Sequence, residues 1–414
     1  MVRRLYVGID WADDHHDICV TDETATTLAQ CQIAHSAEGF AALHRQIAQH
    51  QADPTVVLVA LETSRGLLVY DLLCQGYQVY AINPKAVNRY KDRHVLSAAK
   101  DDRLDALAMA HLLRTDRHRF KPLAPQPEQY RLLERLCSDL RKLIDAKTCL
   151  SNQITSCLKE YYPQAVGLFR DVASPISLAF LRAFPDPDTV RQTDRSGFAA
   201  FFRTHRYTHP RRVDALYERT HTSAPAADPV VVRAASVRLA ALVDQLGVVR
   251  AHQGVYEHTI TSLLEELPEA QPVATLPGID TRWVPELVAA LGPNRPEQPK
   301  RFATVSDLVK FSGCAPITRA SGKRRTVLRR RACDKRLRRT FYDWAMASLS
   351  WSRWARAYYD HRKAQHHAHA TILRGLGQKW AKILYAVWSS GGAYSEVQHI
   401  TQLKRYQVVW ALSL

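Results

Sequence analysis

The period of the hydrophobic positions changes along the chain, and each change predicts a different kind of element. In "RLYVGIDWADDHHDICVTD" two β-rich runs, one ending at Asp10 and the other at Asp22, flank the turn-like "WADDHH". That pattern predicts a hairpin opening a sheet. A further strand signal, "TVVLVALE" from Thr55 to Glu62, precedes helix-like "GLLVYDLLCQ", then "YQVYAIN" and a helix start at Pro84. Strands alternating with helices predict an α/β domain over residues 1–125. From Gln129 the period lengthens: Leu132, Leu133, Leu136, Leu140, Leu143, Leu150, Ile154 and Leu158 recur at mostly helical steps, predicting one long amphipathic helix. A second long pattern, from Pro229 to Leu267, carries Val231, Leu239, Leu242, Leu246, Tyr256, Ile260 and Leu264. It is expected to return antiparallel to the first as a helical arm or dimerisation stalk over residues 126–270, against the alternative of a compact bundle. The remainder, 271–414, opens on the Pro-Gly turn of "LPGIDTRWVPELVAALG" and ends in helix-like "ATILRGLGQKWAKILYAVW". The fold class is therefore α/β plus all-α.

Residues 98–113, "AAKDDRLDALAMAHLL", crowd aspartates at a helix start. Asp102 and Asp105 are three apart and share a helix face, with Leu104, Leu107, Ala108, Leu112 and Leu113 as the expected buried stripe. Acidic groups there offset the helix dipole, which is the ordinary reason for such a pattern. Asp10 and Glu62, at two strand ends, add carboxylates that an α/β sheet can bring to the same place. Gathering that much like charge costs roughly several kcal/mol unless cations neutralise it, and hard oxygen ligands suit Mg²⁺ or Mn²⁺. The inference is a two-metal site for phosphoryl chemistry. Each residue also has an ordinary alternative: a turn cap for Asp10, Arg65 as partner of Glu62, and Arg103 or Arg114 as partner of Asp105.

Charge sharpens this reading. Lys and Arg outnumber Asp and Glu by 57 to 40, so an extended polyanion is the expected partner. From Lys323 to Arg339, "KRRTVLRRRACDKRLRR" holds ten basic residues and one acid. Such density needs phosphates or bulk water around it. The eight cysteines show no zinc or disulfide spacing, and no leader or membrane-length apolar run is read, so a reduced cytoplasmic protein is expected. His366, His367 and His369 lack a Cys/His ladder. Trp351, Trp354, Tyr358 and Tyr359, interleaved with Arg353 and Arg356, suit either nucleobase stacking or an aromatic core face.

The order "GID", "ALET", "KDDRLDA" resembles a RuvC-like core of the ribonuclease-H fold. With "LPGID", "LGPNRPEQPKRFATVSDLVKFSGCAPITRASGKRR" and "GQKWAKILYAVW" downstream, the chain resembles a DEDD transposase of the bacterial insertion-sequence "one-ten" family, the bridge-RNA-guided recombinases. The resemblance implies a serine nucleophile, Ser321 in "PITRASGKRR", that holds DNA as a phosphoserine, with Asp10, Glu62, Asp102 and Asp105 around Mg²⁺ or Mn²⁺. Arg319, Lys323, Arg324 and Arg325 are placed to stabilise the developing charge. With Arg329, Arg330, Arg331, Lys335 and Arg336 they form the candidate nucleic-acid-binding set. The resemblance further implies donor and target DNA, a noncoding bridge RNA and a dimer of dimers as partners, and no membrane. It departs from relatives at "RRRACDKRLRR", where a Gly-Asn pair is common, and at Asp280, where a glycine is common. The rival readings are a Holliday-junction-type nuclease that activates water and a catalytically silent nucleic-acid-binding protein.

Overall fold

The computed structural model describes residues 4–94, 102–124, 126–279, 281–295, 300–322, 324–412 and 414. They form two compact units that divide in sequence between Pro125 and Gln126. Asp101, Asp280, Lys323 and the side chain of Asp102 lie outside the described residues.

The first unit runs β1 (Leu5–Trp11), β2 (His15–Thr21), β3 (Thr27–Ala34), α1 (Ala37–Ala48), β4 (Val57–Leu61), α2 (Leu67–Cys74), β5 (Gln78–Ala81), α3 (Pro84–His94) and α4 (Asp102–Asp116). Its strands order as β3-β2-β1-β4-β5, antiparallel through the opening hairpin and parallel from β1 to β4 to β5. β4 is buried along its whole length, which is why "VLVAL" reads as an unbroken apolar run. Sequence periodicity did not single out β3 or α1. β3 is an edge strand in which Ile33 joins the core and Leu28, Ala29 and Cys31 pack against it, while exposed Gln30 and Gln32 interrupt them, so it carries no apolar run. α1 is set by Ser36, whose side chain accepts from the Gly39 amide.

His16 is fully buried on β2 opposite Trp11, and its Nε2 lies 2.8 Å from His35 Nδ1. Burial first, then the neighbouring His35 and His15, lowers its pKa from 6.5 to about 4, against an opposing pull from Asp17. The unfolded chain therefore takes up this proton before the folded one does. The stabilisation from neutral His16 is complete above pH 6.5 and is lost as the pH falls toward about 4. His16→Phe is expected to flatten that stretch of a melting temperature against pH curve, and an unchanged curve would place the acid sensitivity elsewhere.

The second unit is helical. α5 (Glu128–Tyr161) leads into α6 (Pro175–Ala183), α7 (Pro187–Arg191), α8 (Arg195–Thr204) and α9 (Val213–His221), and α10 (Pro229–Glu265) returns antiparallel to α5. The pairing runs from Gln129 with Glu266 at one end to Glu160 with Arg238 at the other. The two ends belong to different cores. Ile154, Leu158, Leu239 and Val243 join the phenylalanines of α6 and α8, whereas Tyr130, Leu133, Cys137 and Ile260 join the C-terminal helices.

Those helices are α11 (Ala270–Ala274), α12 (Trp283–Leu291), α13 (Val305–Phe311), α14 (Lys335–Ser348), α15 (Arg353–Ala364), α16 (His369–Ser390) and α17 (Glu396–Arg405), with a two-stranded ribbon, β6 (Ile317–Ser321) and β7 (Arg324–Leu328), between α13 and α14. Trp344, Trp354, Trp380 and Trp388 are fully buried at their centre. Trp354 is thus a core residue, while Trp351 is 73% exposed. The turn at Gly278 also faces inward. A Cβ there would lie 2.8 Å from Ser348 Cα, and Trp344 Nε1 donates to the Pro277 carbonyl at 3.0 Å, so the turn is spent on seating α14. Asp334, the lone acid of the basic run, caps α14 by accepting from the Leu337 amide.

An ion pair clamps three of these elements together. Arg141 of α5 donates to Glu286 of α12 at 2.6 Å, and Thr340 of α14 bonds the other carboxylate oxygen; Glu286 is 5% exposed. Glu286→Ala would leave a half-buried guanidinium unpaired and is expected to destabilise this unit by about 3–5 kcal/mol. Urea denaturation would show a lower midpoint, and a change within experimental error would mean water replaces the carboxylate.

Candidate active site

The carboxylate site is set by how closely α4 approaches β1. Gly8 makes the approach possible, since a Cβ at that position would stand 1.8 Å from the Ala106 carbonyl oxygen and 2.7 Å from the Ala110 nitrogen. Side chains alternate across a strand. Asp10 therefore faces α4 as Gly8 does. Ile9 of β1 pairs with Leu61 of β4, so Asp10 and Glu62 are the next residues along two adjacent parallel strands. α4 runs antiparallel to β1: its Arg114 end reaches the Glu23 carbonyl beyond β2, which leaves Asp105 toward the strand ends that carry Asp10 and Glu62. The buried side of α4 is Ala106, Ala108, Met109, Ala110, Leu112 and Leu113. Leu104 and Leu107 are only half-buried, because the helix meets the strand through its small residues rather than its leucines.

Electrostatics tie the site together. Desolvation first, and the negative charge of Asp105 second, hold the Glu62 carboxyl above its usual pKa, while the ammonium of Lys91 pulls it back. Lys91 of α3 forms an ion pair with Asp105. The cation beside Asp105 is thus neither Arg103 nor Arg114, the partners that sequence proximity pointed to. Asp17 of β2 stands directly opposite Asp10 in the ladder, on the same face, and is 7% exposed with Gln32 Nε2 at 3.4 Å. Lys91 and Asp17 carried no sequence signal, since one lies on an otherwise polar helix and the other inside a strand. Among the described residues no three His, Cys, Asp or Glu side chains close into a metal-holding group.

Ser321 ends β6 and pairs with Arg324, the first residue of β7. The chain turns directly after Ser321, where Gly322 takes a positive φ of +54° that suits a glycine. Among the described residues nothing lies within 4 Å of where a Gly322 Cβ would be, and Arg319, Ser321, Arg324 and Arg325 are all exposed. Register sorts the cations. Arg319, two residues before Ser321, and Arg324, opposite it, share its face of the ribbon, whereas Arg325 pairs with Ala320 on the other face. Arg329, Arg331 and Lys335 are exposed. Arg330 donates to the Ala315 carbonyl at 3.3 Å, and Arg336 is engaged by Glu134 at 3.3 Å.

Residues 7–163, which include Asp10, Glu62 and Asp105, match a transposase family model of the DEDD type, and residues 270–360, which include the Ser321 ribbon, match the model described as "Transposase IS116/IS110/IS902 family". A transposase of the IS117 mini-circle from Streptomyces coelicolor is 31% identical over 382 residues, covering 90% of this chain and 91% of that one. The chain belongs to the IS110 family of transposases. It is also similar to the Sinorhizobium fredii protein y4uE, 31% identical over 51% of this chain and 59% of that one. The 42 kDa protein of insertion element IS900 from Mycobacterium paratuberculosis is 24% identical over 95% of this chain and 98% of that one. The transposase is a DNA recombinase with a RuvC-like α/β sheet followed by a mainly helical remainder. No described helix is long and apolar enough to cross a membrane.

Proposed function

We propose that this transposase cuts and rejoins DNA through a covalent bond between Ser321 Oγ and a backbone phosphate. The observation that carries the reading is the placement of Ser321: the last strand residue before a tight turn, at the exposed tip of a ribbon, flanked on its own face by Arg319 and Arg324. An Oγ–P bond forms as the bond from phosphorus to a sugar oxygen breaks, and the departing strand end leaves as a hydroxyl. Attack by a hydroxyl end on the phosphoserine reverses the step and releases the serine. Bond energy is conserved, so no ATP is needed. Arg319 and Arg324 offset the charge that develops on the phosphate oxygens.

The carboxylates fit a hard divalent cation in donor chemistry. Glu62 and Asp105 are close enough for the charge of one to raise the pKa of the other, and Lys91 already supplies a positive charge there. Asp10, Glu62 and Asp105, with Asp102 added by sequence position, would hold Mg²⁺ or Mn²⁺. Such an ion would polarise a phosphate oxygen and favour the deprotonated attacking hydroxyl. The reading requires the carboxylates of one unit to meet Ser321 of the other, within one chain or between protomers.

The reading extends to the partners implied by the family resemblance: a noncoding bridge RNA that pairs with donor and target DNA, and a dimer of dimers. The exposed cations support contact with nucleic-acid backbones. Val248 and Val255, exposed on α10 at 59% and 61%, are seven residues apart and support self-association along the arm.

The test is a denaturing gel of end-labelled DNA carrying the element ends. A protein-linked species that protease digestion shortens is the expected result. Free DNA ends that depend on the carboxylates alone would give the reaction to activated water. The ribbon register adds a sharper expectation. Arg319→Ala or Arg324→Ala should slow adduct formation by about 10²–10³-fold, whereas Arg325→Ala, on the opposite face, should weaken DNA binding without that effect. Equal losses from all three would reduce the arginines to general backbone contacts.

A further inference from the structure

Between the base of the ribbon and helices α14 and α16 lies a cavity of about 420 Å³, within the ~300–1,000 Å³ range of small-molecule sites. Its rim is cationic: Arg329, Lys335, Arg338 and Arg374 line it, and among the described residues no acidic one does. Arg339 also reaches the rim but is drawn off by Asp145 at 3.2 Å and Asp343 at 3.7 Å. None of the other four pairs with a carboxylate among the described residues. Among the described residues the guanidinium of Arg338 reaches Cys333 Sγ, at 3.5 Å, and that of Arg374 reaches Thr371 Oγ1, at 2.9 Å.

The interior differs in kind. Phe341, Leu373 and Gly377 form an apolar floor, and half-buried Tyr342 contributes an aromatic wall. The opening depends on Gly313, whose φ of +70° folds the chain back so tightly that a Cβ would lie 2.6 Å from Cys333 Sγ. A bare phosphate is served by surface cations such as those on the ribbon and gains nothing from an apolar recess. A flat apolar group attached to a phosphate gains from both parts, since aromatic stacking on a base is worth about 1–3 kcal/mol.

We propose that this cavity binds a single nucleotide of a nucleic-acid strand, with its base against the Phe341 and Tyr342 side and its phosphate on Arg338, Arg374 and Lys335. The site grips a nucleotide turned out of its stack and so anchors a strand at the base of the ribbon that bears Ser321. The inference rests on the chain acting on nucleic acid and is independent of whether Ser321 is the nucleophile.

The experiment titrates the full-length protein with thymidine 5′-monophosphate, uridine 5′-monophosphate, thymidine and inorganic phosphate, followed by ligand-observed NMR. A nucleotide is expected to bind at least about tenfold more tightly than phosphate or nucleoside alone. The deoxy and ribo arms tell whether DNA or RNA supplies it. Ala370→Phe fills the cavity from the half-exposed first turn of α16 without removing a charge. It should weaken nucleotide binding about tenfold and leave phosphate binding unchanged. Arg374→Gln, at an exposed position, should weaken nucleotide and phosphate together. Phosphate binding as tight as nucleotide binding, nucleotide binding indifferent to Ala370→Phe, or no nucleotide binding at all would each overturn the proposal. Adduct formation at Ser321 is read separately, so failure of one reading leaves the other standing.

Discussion

Ser321→Ala is expected to leave the protein folded and bound to nucleic acid while covalent adduct and recombinant products fall by at least about four orders of magnitude. The stability half of this expectation follows from position. Ser321 is exposed at the tip of the ribbon, and the neighbouring Gly322 has open space around it. Losing one oxygen there removes no core contact, and surface changes of this kind usually stay within about 0.5 kcal/mol. The activity half follows from chemistry. Ser321 is the described hydroxyl nearest the tip: register puts Arg319 and Arg324 on its face, and Thr326, which pairs with Arg319 on that same face, stands two residues farther down the ribbon. End-labelled DNA on a denaturing gel, with melting temperature and a mobility shift as controls, separates the two halves. An adduct that persists in the alanine variant would remove Ser321 from the chemistry.

Asp105→Asn is expected to reduce strand exchange by at least about a thousandfold and to move the titration of Glu62 at the same time. The sign follows from the neighbours. The Asp105 charge disfavours ionised Glu62 and raises its pKa, so the amide should let that pKa fall toward the ordinary carboxylate range. Lys91 acts in the opposite sense, and Lys91→Met should raise the Glu62 pKa further. Carboxyl ¹³C shifts followed against pH read both effects without relying on activity. If Asp105→Asn leaves recombination unchanged while Glu62 moves as expected, the pair is a structural feature of the sheet. If chelation abolishes activity and Mg²⁺ restores it in the wild type only, the cation reading gains direct support.

The clearest sequence signals were those of local period. The two β-rich runs of the opening hairpin, the apolar run of β4 and the three- and four-residue steps of α5 and α10 each follow from where a backbone of that geometry points its side chains. The pairing of α5 with α10 was legible for the same reason, since two long amphipathic stripes joined by intervening helices each need a partner. β3 and α1 escaped because the apolar residues of β3 are broken up by exposed Gln30 and Gln32, and the buried stripe of α1 is only Gly39, Leu43 and Ile47.

The candidate site was legible as residue types in order, and its neighbourhood was not. Nothing local relates Lys91 to Asp105 or Asp17 to Asp10; the docking of α3 and the register of β1 with β2 decide them. Likewise the sequence places Arg319, Arg324 and Arg325 near Ser321 on equal terms, and only the pairing of β6 with β7 separates the two that share its face from the one that does not. The cavity beside α14 joins Gly313, Arg338 and Arg374, residues far apart in the chain. By itself the sequence determined the opening hairpin, β4, the long helices, the basic character and which carboxylate and serine side chains are on offer, because these depend on side-chain type and on spacings of a few residues. Which groups touch was decided by tertiary structure alone, because strand register, the close seat of α4 on Gly8 and the fold of the chain at Gly313 are set by packing between segments that no local pattern connects.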